Sequence, residues 1–137
     1  MPFSSDNLLK ELNQGKIIDW AVELKNGKEA YTFLVTTLNE GNLNVNQTKN
    51  ALHALFRIRG HGSELEVLRT CLLLTGHASK AVRSEAVQLC IGLVHLSRLH
   101  SKRPLTITPD QHKILRKAVS EGLSPEVAGL ATTFLDE

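Results

Sequence analysis

An all-α fold, assembled as a pile of helical hairpins, is predicted by three observations on this 137-residue sequence. Apolar residues recur at spacings of three and four from end to end, while the alternation of a strand is nearly absent. Glycines (Gly15, Gly27, Gly41, Gly60, Gly62, Gly76, Gly122) follow or separate these stretches, where a left-handed residue can close a helix. The prolines avoid every proposed helix interior, and Thr108-Pro109 and Ser124-Pro125 read as an N-cap followed by a first helical residue.

The elements follow in order. Helices are expected at 5–14, 16–26, 28–40, 45–59, 63–75, 79–99, 109–121 and 124–136. Gly15 divides the first two. Ser63 with Glu66 and Thr108 with Gln111 fit the capping box, in which two side chains satisfy two orphan amides reciprocally, and Asn44 with Gln47 offers a weaker version. Leu65, Leu68, Cys71, Leu72 and Leu74 mark the apolar face of the 63–75 helix. The 79–99 helix carries Val82, Ala86, Leu89, Cys90, Leu93 and Val94 on one face, with Val87, Ile91 and Leu96 elsewhere around it. A helix apolar nearly all round is covered on most sides, so this one is expected at the centre. Residues 99–108 are the longest non-helical stretch, basic and expected as an exposed crossing. No linker divides the chain, so a single domain over 1–137 is expected.

Composition narrows the function. Hydrophobic residues make up 42% and charged residues 22%, as in an ordinary globular protein. No apolar run is long enough to cross a membrane. The first residues lack the basic flank and apolar stretch of a secretion leader, and two cysteines suggest no disulfide framework, so a cytoplasmic setting is expected. Aromatics are 4%, thin for a stacking-based nucleic-acid binder.

Catalytic and metal motifs are missing. No two histidines stand four apart on a helix, so no metal is expected, and neither is a cofactor. His61 and His77 each follow a helix-closing glycine and are expected beside the last carbonyls. Cys71 and Cys90 fall on apolar faces and read as core. Asp19-Trp20 is the one acid–aromatic pair, and Trp20 reads as core among Ile17, Ile18, Val22 and Leu24. No enzyme is expected.

Three helices repeat a pattern: Ala51, Ala54, Leu55, Ile58; then Ala86, Leu89, Cys90, Leu93; then Ala131, Phe134, Leu135. Gly60-His61-Gly62-Ser63 and Gly76-His77-Ala78-Ser79 are similar joints. This resembles the HEAT/armadillo class of helical repeats, most clearly at Ser79-Lys80-Ala81-Val82-Arg83-Ser84-Glu85-Ala86-Val87-Gln88-Leu89. Only the middle unit has Val-Arg; Thr48-Lys49 and Val127-Ala128 stand in the others. The resemblance implies a short right-handed α-α superhelix with helix pairs at 28–59, 63–99 and 109–136, and residues 1–27 as an N-terminal cap. Such stacks need about three units to bury their faces.

Charge is the functional clue. Four basic and six acidic residues fall in 1–48, twelve basic and four acidic in 49–117, and four acidic and no basic in 118–137. Asn46, Lys49, Asn50, His53 and Arg57 form a polar stripe on one helix, and Lys80, Arg83, Ser84, Gln88, His95 and Arg98 a broken one on another. The resemblance implies that second helices line an inner surface, which sets these stripes side by side as a mildly basic groove. Lys49, His53, Arg57, Lys80, Arg83, Gln88, His95 and Arg98 are therefore the expected partner-binding residues. The expected function is a protein-interaction module, a small scaffold or adaptor for an acidic protein surface. The alternatives are a nucleic-acid-binding repeat protein and an immunity-type protein neutralising a toxin enzyme. The weakly capped C-terminal helix also leaves room for a homodimer through that end.

Overall fold

The computed structural model describes residues 5–14 and 27–136. Every regular element among them is helical: α1 (Ser5–Gln14), α2 (Gly27–Glu40), α3 (Val45–Arg57), a 3-10 turn (Arg59–His61), α4 (Glu64–Leu74), α5 (Lys80–His100), α6 (Pro109–Glu121) and α7 (Pro125–Leu135). These bounds lie within two residues of the expected ones. The expected 16–26 helix, with Asp19 and Trp20, lies outside the described residues. Among those residues no helix is long and apolar enough to cross a membrane. Contacts divide the chain into two compact units, Met1–Thr70 and Cys71–Glu137.

In the first unit, α1 and α2 both pack against α3, and the 3-10 turn touches α2 and α3. Leu8 and Leu12 of α1, Ala30, Leu34 and Leu38 of α2, and Ala51, Leu52 and Leu55 of α3 are buried. Asn44 and Gln47 close a complete capping box at the start of α3, with Gln47 N–H donating to Asn44 Oδ1 at 2.8 Å and Asn44 N–H to Gln47 Oε1 at 3.2 Å. The same side chains hold α1: Gln47 Nε2 donates to Leu9 O at 3.3 Å, Asn44 Nδ2 to Asn13 Oδ1 at 3.0 Å, and Asn50 Nδ2 to Leu12 O.

The box expected at Ser63 and Glu66 is half made. Glu66 N–H donates to Ser63 Oγ at 3.3 Å, but Ser63 N–H donates instead to the Tyr31 hydroxyl, which in turn donates to Glu66 Oε1 at 2.7 Å. A tyrosine from α2 is thus inserted between the two partners. Gly62 permits it, because a Cβ there would overlap the Tyr31 ring. Burial, followed by the bond to Glu66, raises the Tyr31 pKa from 10.0 to about 12. The folded form therefore holds its phenolic proton more tightly than the unfolded chain does. The stability this contributes is fully present below pH 10 and is lost as pH rises through about 12. Alkaline denaturation of the wild type is expected to show this loss, and Tyr31→Phe is expected to flatten it. A variant with the same alkaline limb would contradict the assignment.

In the second unit, α5 packs against α6 and α7, and α6 packs against α7. Ser124 N–H donates to Ser84 Oγ at 2.8 Å, and the rings of His95 and Phe134 meet edge-on at 5.5 Å. The start of α7 thus lies by the start of α5, and its end by the end of α5: the two run parallel. α6 ends where α5 begins and runs against both. Thr108 and Gln111 form a complete capping box at the start of α6. Ser124 caps α7 without a side-chain bond, and Pro125 takes the first helical position, where its missing N–H costs nothing.

Residues Val82, Ala86, Val87, Leu89, Cys90, Ile91, Leu93 and Val94 of α5 are buried, as its apolar circumference predicts. The face expected on α4 needs one correction. Leu65 is 41% exposed, while Val67 and Thr70 are buried with Leu68, Cys71, Leu72 and Leu74. The row Val67, Thr70, Cys71 and Leu74 has helical spacing and takes the inner side, leaving Leu65 and Leu73 outside. The glycine expectation also narrows. Among the described residues only Gly41 (φ 76°) and Gly122 (φ 108°) have the left-handed backbone that glycine makes cheap.

Candidate interaction surface

The eight expected partner-binding residues do not share one environment. On α3, Arg57 is exposed, and Lys49 and His53 are half-buried. On α5, Lys80, Gln88 and Arg98 are exposed, His95 is half-buried and Arg83 is buried. His95 lies against Phe134, and the Arg98 guanidinium lies 6.0 Å from the same ring. The exposed residues of α5 are Lys80, Ala81, Gln88, Arg98, Leu99 and His100, with half-buried Glu85, Gly92, His95 and Leu96 between them. They include one glutamate and, at their centre, no lysine or arginine, so the stripe expected on this helix is not basic along its length.

Arg83 is the main correction. Its Nε donates to Gly122 O at 3.2 Å. Nη1 donates to His77 O at 3.0 Å and to Ala78 O at 2.9 Å, and Nη2 to Gly122 O at 3.0 Å and Glu121 O at 3.4 Å. The guanidinium thus faces the C-terminal end of α6, where unpaired carbonyls and the helix dipole favour a cation. Ser84, the next residue, holds the N-cap of α7. Two neighbouring side chains of α5 therefore fix both sides of the α6–α7 turn, and Arg83 is a fold residue rather than part of an open groove. Its spacing carried the signal, because Arg83, Val87, Cys90 and Val94 share one buried row.

A different concentration of charge is exposed. Arg98, Lys102, Arg103, Lys113, Arg116 and Lys117 all face water within residues 98–117, with Asp110 the single acid among them. The crossing that carries Lys102 and Arg103 is pinned. Leu105 N–H donates to the buried Ser97 Oγ at 2.6 Å, and Ser101 Oγ accepts from Arg103 N–H at 3.1 Å. Leu105 and Ile107 are half-buried, so this stretch lies less open than expected while its charges stay outside. Leu99 is 75% exposed and Ile114 42%, which sets aliphatic side chains among the bases.

Beside this region a groove of about 290 Å³ lies between the end of α4 and α6, lined by Leu72, Leu73, Thr75, Gly76, Ile114, Lys117, Ala118 and Glu121. A second cavity of about 230 Å³ lies between α6 and α7, with Arg116 and Asp136 in its lining.

The remaining candidates belong to the interior or the joints. Cys71 and Cys90 are buried, and burial, followed by a hydrogen bond with Cys71, holds the Cys90 thiol well above its ordinary range. That is packing chemistry, since a nucleophilic thiol requires the opposite shift. His77 N–H donates to Leu74 O, the last carbonyl of α4, at 3.1 Å, while its ring Nδ1 accepts from Ser79 N–H at 2.9 Å and supports the start of α5. The His61 ring lies where a Cβ on Gly27 would fall. Among the described residues no group of three or more His, Cys, Asp or Glu converges to hold a metal ion.

No protein-family description, curated protein or solved structure matches the chain.

Proposed function

We propose that this chain is a protein-interaction module and that its working surface is the exposed basic stretch from Arg98 to Lys117. The observation that carries the reading is the set of six exposed bases with a single acid in one stretch of one compact unit. A surface of one sign attracts a partner of the other, speeding encounter and excluding like-charged competitors. The stretch contains no Phe, Tyr or Trp, and its exposed anchors are Leu99 and Ile114. Aliphatic side chains among cations suit an acidic protein surface better than nucleic-acid bases, which bind by stacking on aromatics. The parallel α5 and α7, with α6 antiparallel between them, fit the stacking of a HEAT-like hairpin array, and we propose that architecture for the chain.

The test uses the triple reversal Lys102→Glu, Arg103→Glu and Lys113→Glu in the full chain, with circular dichroism as a control for folding. Wild-type protein cross-linked in the source cell is expected to capture a partner through an acidic segment, with capture reduced at least tenfold in the reversal. Equal capture by both would overturn the reading. So would sub-micromolar binding of fluorescent duplex DNA that weakens steeply with salt, which would place phosphate contacts first.

A further inference from the structure

We infer that the groove between the end of α4 and α6 is the docking site for an amphipathic helical segment of the partner, seating two apolar side chains between Leu73 and Ile114 and laying acidic side chains along Lys113 and Lys117. This rests on the interaction-module reading and specifies the kind of segment the module takes.

The walls carry the first part of the argument. Leu73 is 55% exposed on one side and Ile114 is 42% exposed on the other, with Leu72 and Ala118 nearly buried beneath them. Two large aliphatic side chains left wet on facing walls, with Lys117 and Glu121 at the rim, offer a partner apolar surface to cover. The volume of about 290 Å³ falls at or below the small end for cofactor and metabolite pockets, which run from about 300 to 1,000 Å³. The lining contains only two charged groups and no converging polar cluster. Such a site takes side chains projected from a larger body. Apolar residues three or four apart on a helix lie on one face and suit a trough of this kind.

Charge decides the occupant. Lys117 extends from the groove with its side chain 77% exposed, held 3.8 Å from Glu121 one turn on. Lys113 lies one turn earlier on α6 and is exposed. Positions four apart share a helix flank, so Lys117 in the groove's lining and Lys113 just before it lie along one side of α6. Glu121 closes the other end, which favours a segment with its acidic residues toward the start of α6 and a base at the far end.

The experiment is selection from a displayed library of helical peptides against the intact protein, followed by fluorescence anisotropy with the enriched peptides. Enriched sequences are expected to carry two bulky apolar residues three or four apart and a net negative charge. Their affinity should fall at least tenfold for Ile114→Glu, for Leu73→Ser and for the Lys113→Glu, Lys117→Glu pair, with melting curves of the variants near that of wild type. Peptides that bind Ile114→Glu and Leu73→Ser as tightly as wild type would overturn the inference, as would a basic consensus. A dimer by light scattering that Ile114→Glu dissociates would identify a second copy as the occupant and equally overturn it. If partner capture survives Ile114→Glu and fails only in the Lys102, Arg103 and Lys113 reversal, the groove is excluded while the basic surface stands. If capture survives both, neither reading stands.

Discussion

Replacing Arg83 by Ala is expected to destabilise the protein by about 2–4 kcal/mol, because the change leaves four backbone carbonyls without their charged donor. The five hydrogen bonds from this guanidinium reach backbone oxygens at two places: His77 and Ala78 before α5, and Glu121 and Gly122 at the end of α6. Arg83 is only 9% exposed, so these bonds are largely shielded from water. Arg83→Lys should restore less than half of the loss: an ammonium group is a point donor and cannot span both sets of carbonyls as a planar fork does. Urea denaturation of the two variants checks this. A loss below about 1 kcal/mol for Arg83→Ala would show that the carbonyls find other donors at little cost. The same substitution would be a poor probe of partner binding, because lost binding and lost folding would look alike.

Truncating Leu89 to Ala is expected to cost about 2–5 kcal/mol, the range for a buried leucine that leaves a cavity its neighbours only partly fill. Leu89 is 6% exposed on α5, flanked by the fully buried Ala86, Cys90 and Leu93. Gln88→Ala, one residue earlier on the exposed side, should stay within about 0.5 kcal/mol and controls for helix propensity. Denaturant midpoints for the pair measure the difference. A Leu89→Ala change as small as the control would mean that α5 packs loosely at this point and that the buried face lies elsewhere on it.

These two residues mark how much of the fold the sequence made legible. Leu89 was recognisable from spacing alone: with Ala86, Cys90 and Leu93 it makes an unbroken apolar face, and burying such a face is what periodicity reports. Helix ends were recognisable for a similar reason. The pairs Asn44 with Gln47 and Thr108 with Gln111 lie three residues apart and act within one turn, so their chemistry is local. Residue type alone places Arg83 on the surface, where arginine is usually found. Its row with Val87, Cys90 and Val94 marks a buried side of α5, but the carbonyls that satisfy it lie almost forty residues away at the end of α6, and no local pattern identifies those.

The same division holds at Ser63. A local box with Glu66 was foreseen, yet the hydroxyl that completes it comes from Tyr31, thirty-two residues upstream. It reaches there because Gly62 lacks a side chain. The candidate surface divides in the same way. The excess of bases between residues 49 and 117 was plain in the composition, and the crossing at 99–108 was recognised as basic. Which of those bases face water was not, because exposure depends on the side of each helix that its neighbours cover. Nor could spacing alone show that Leu73, adjacent to two buried leucines, stays outside opposite Ile114.

By itself, then, the chain's order of residues determined helices, their ends and the apolar face of α5, since each follows from interactions within a few residues or along one face. Tertiary structure decided which cation is consumed by the fold, which tyrosine closes a cap and where a wet apolar trough opens. Those outcomes depend on groups brought together from distant parts of the chain, and the physical reason is that desolvation and hydrogen-bond satisfaction act on whatever is adjacent in space.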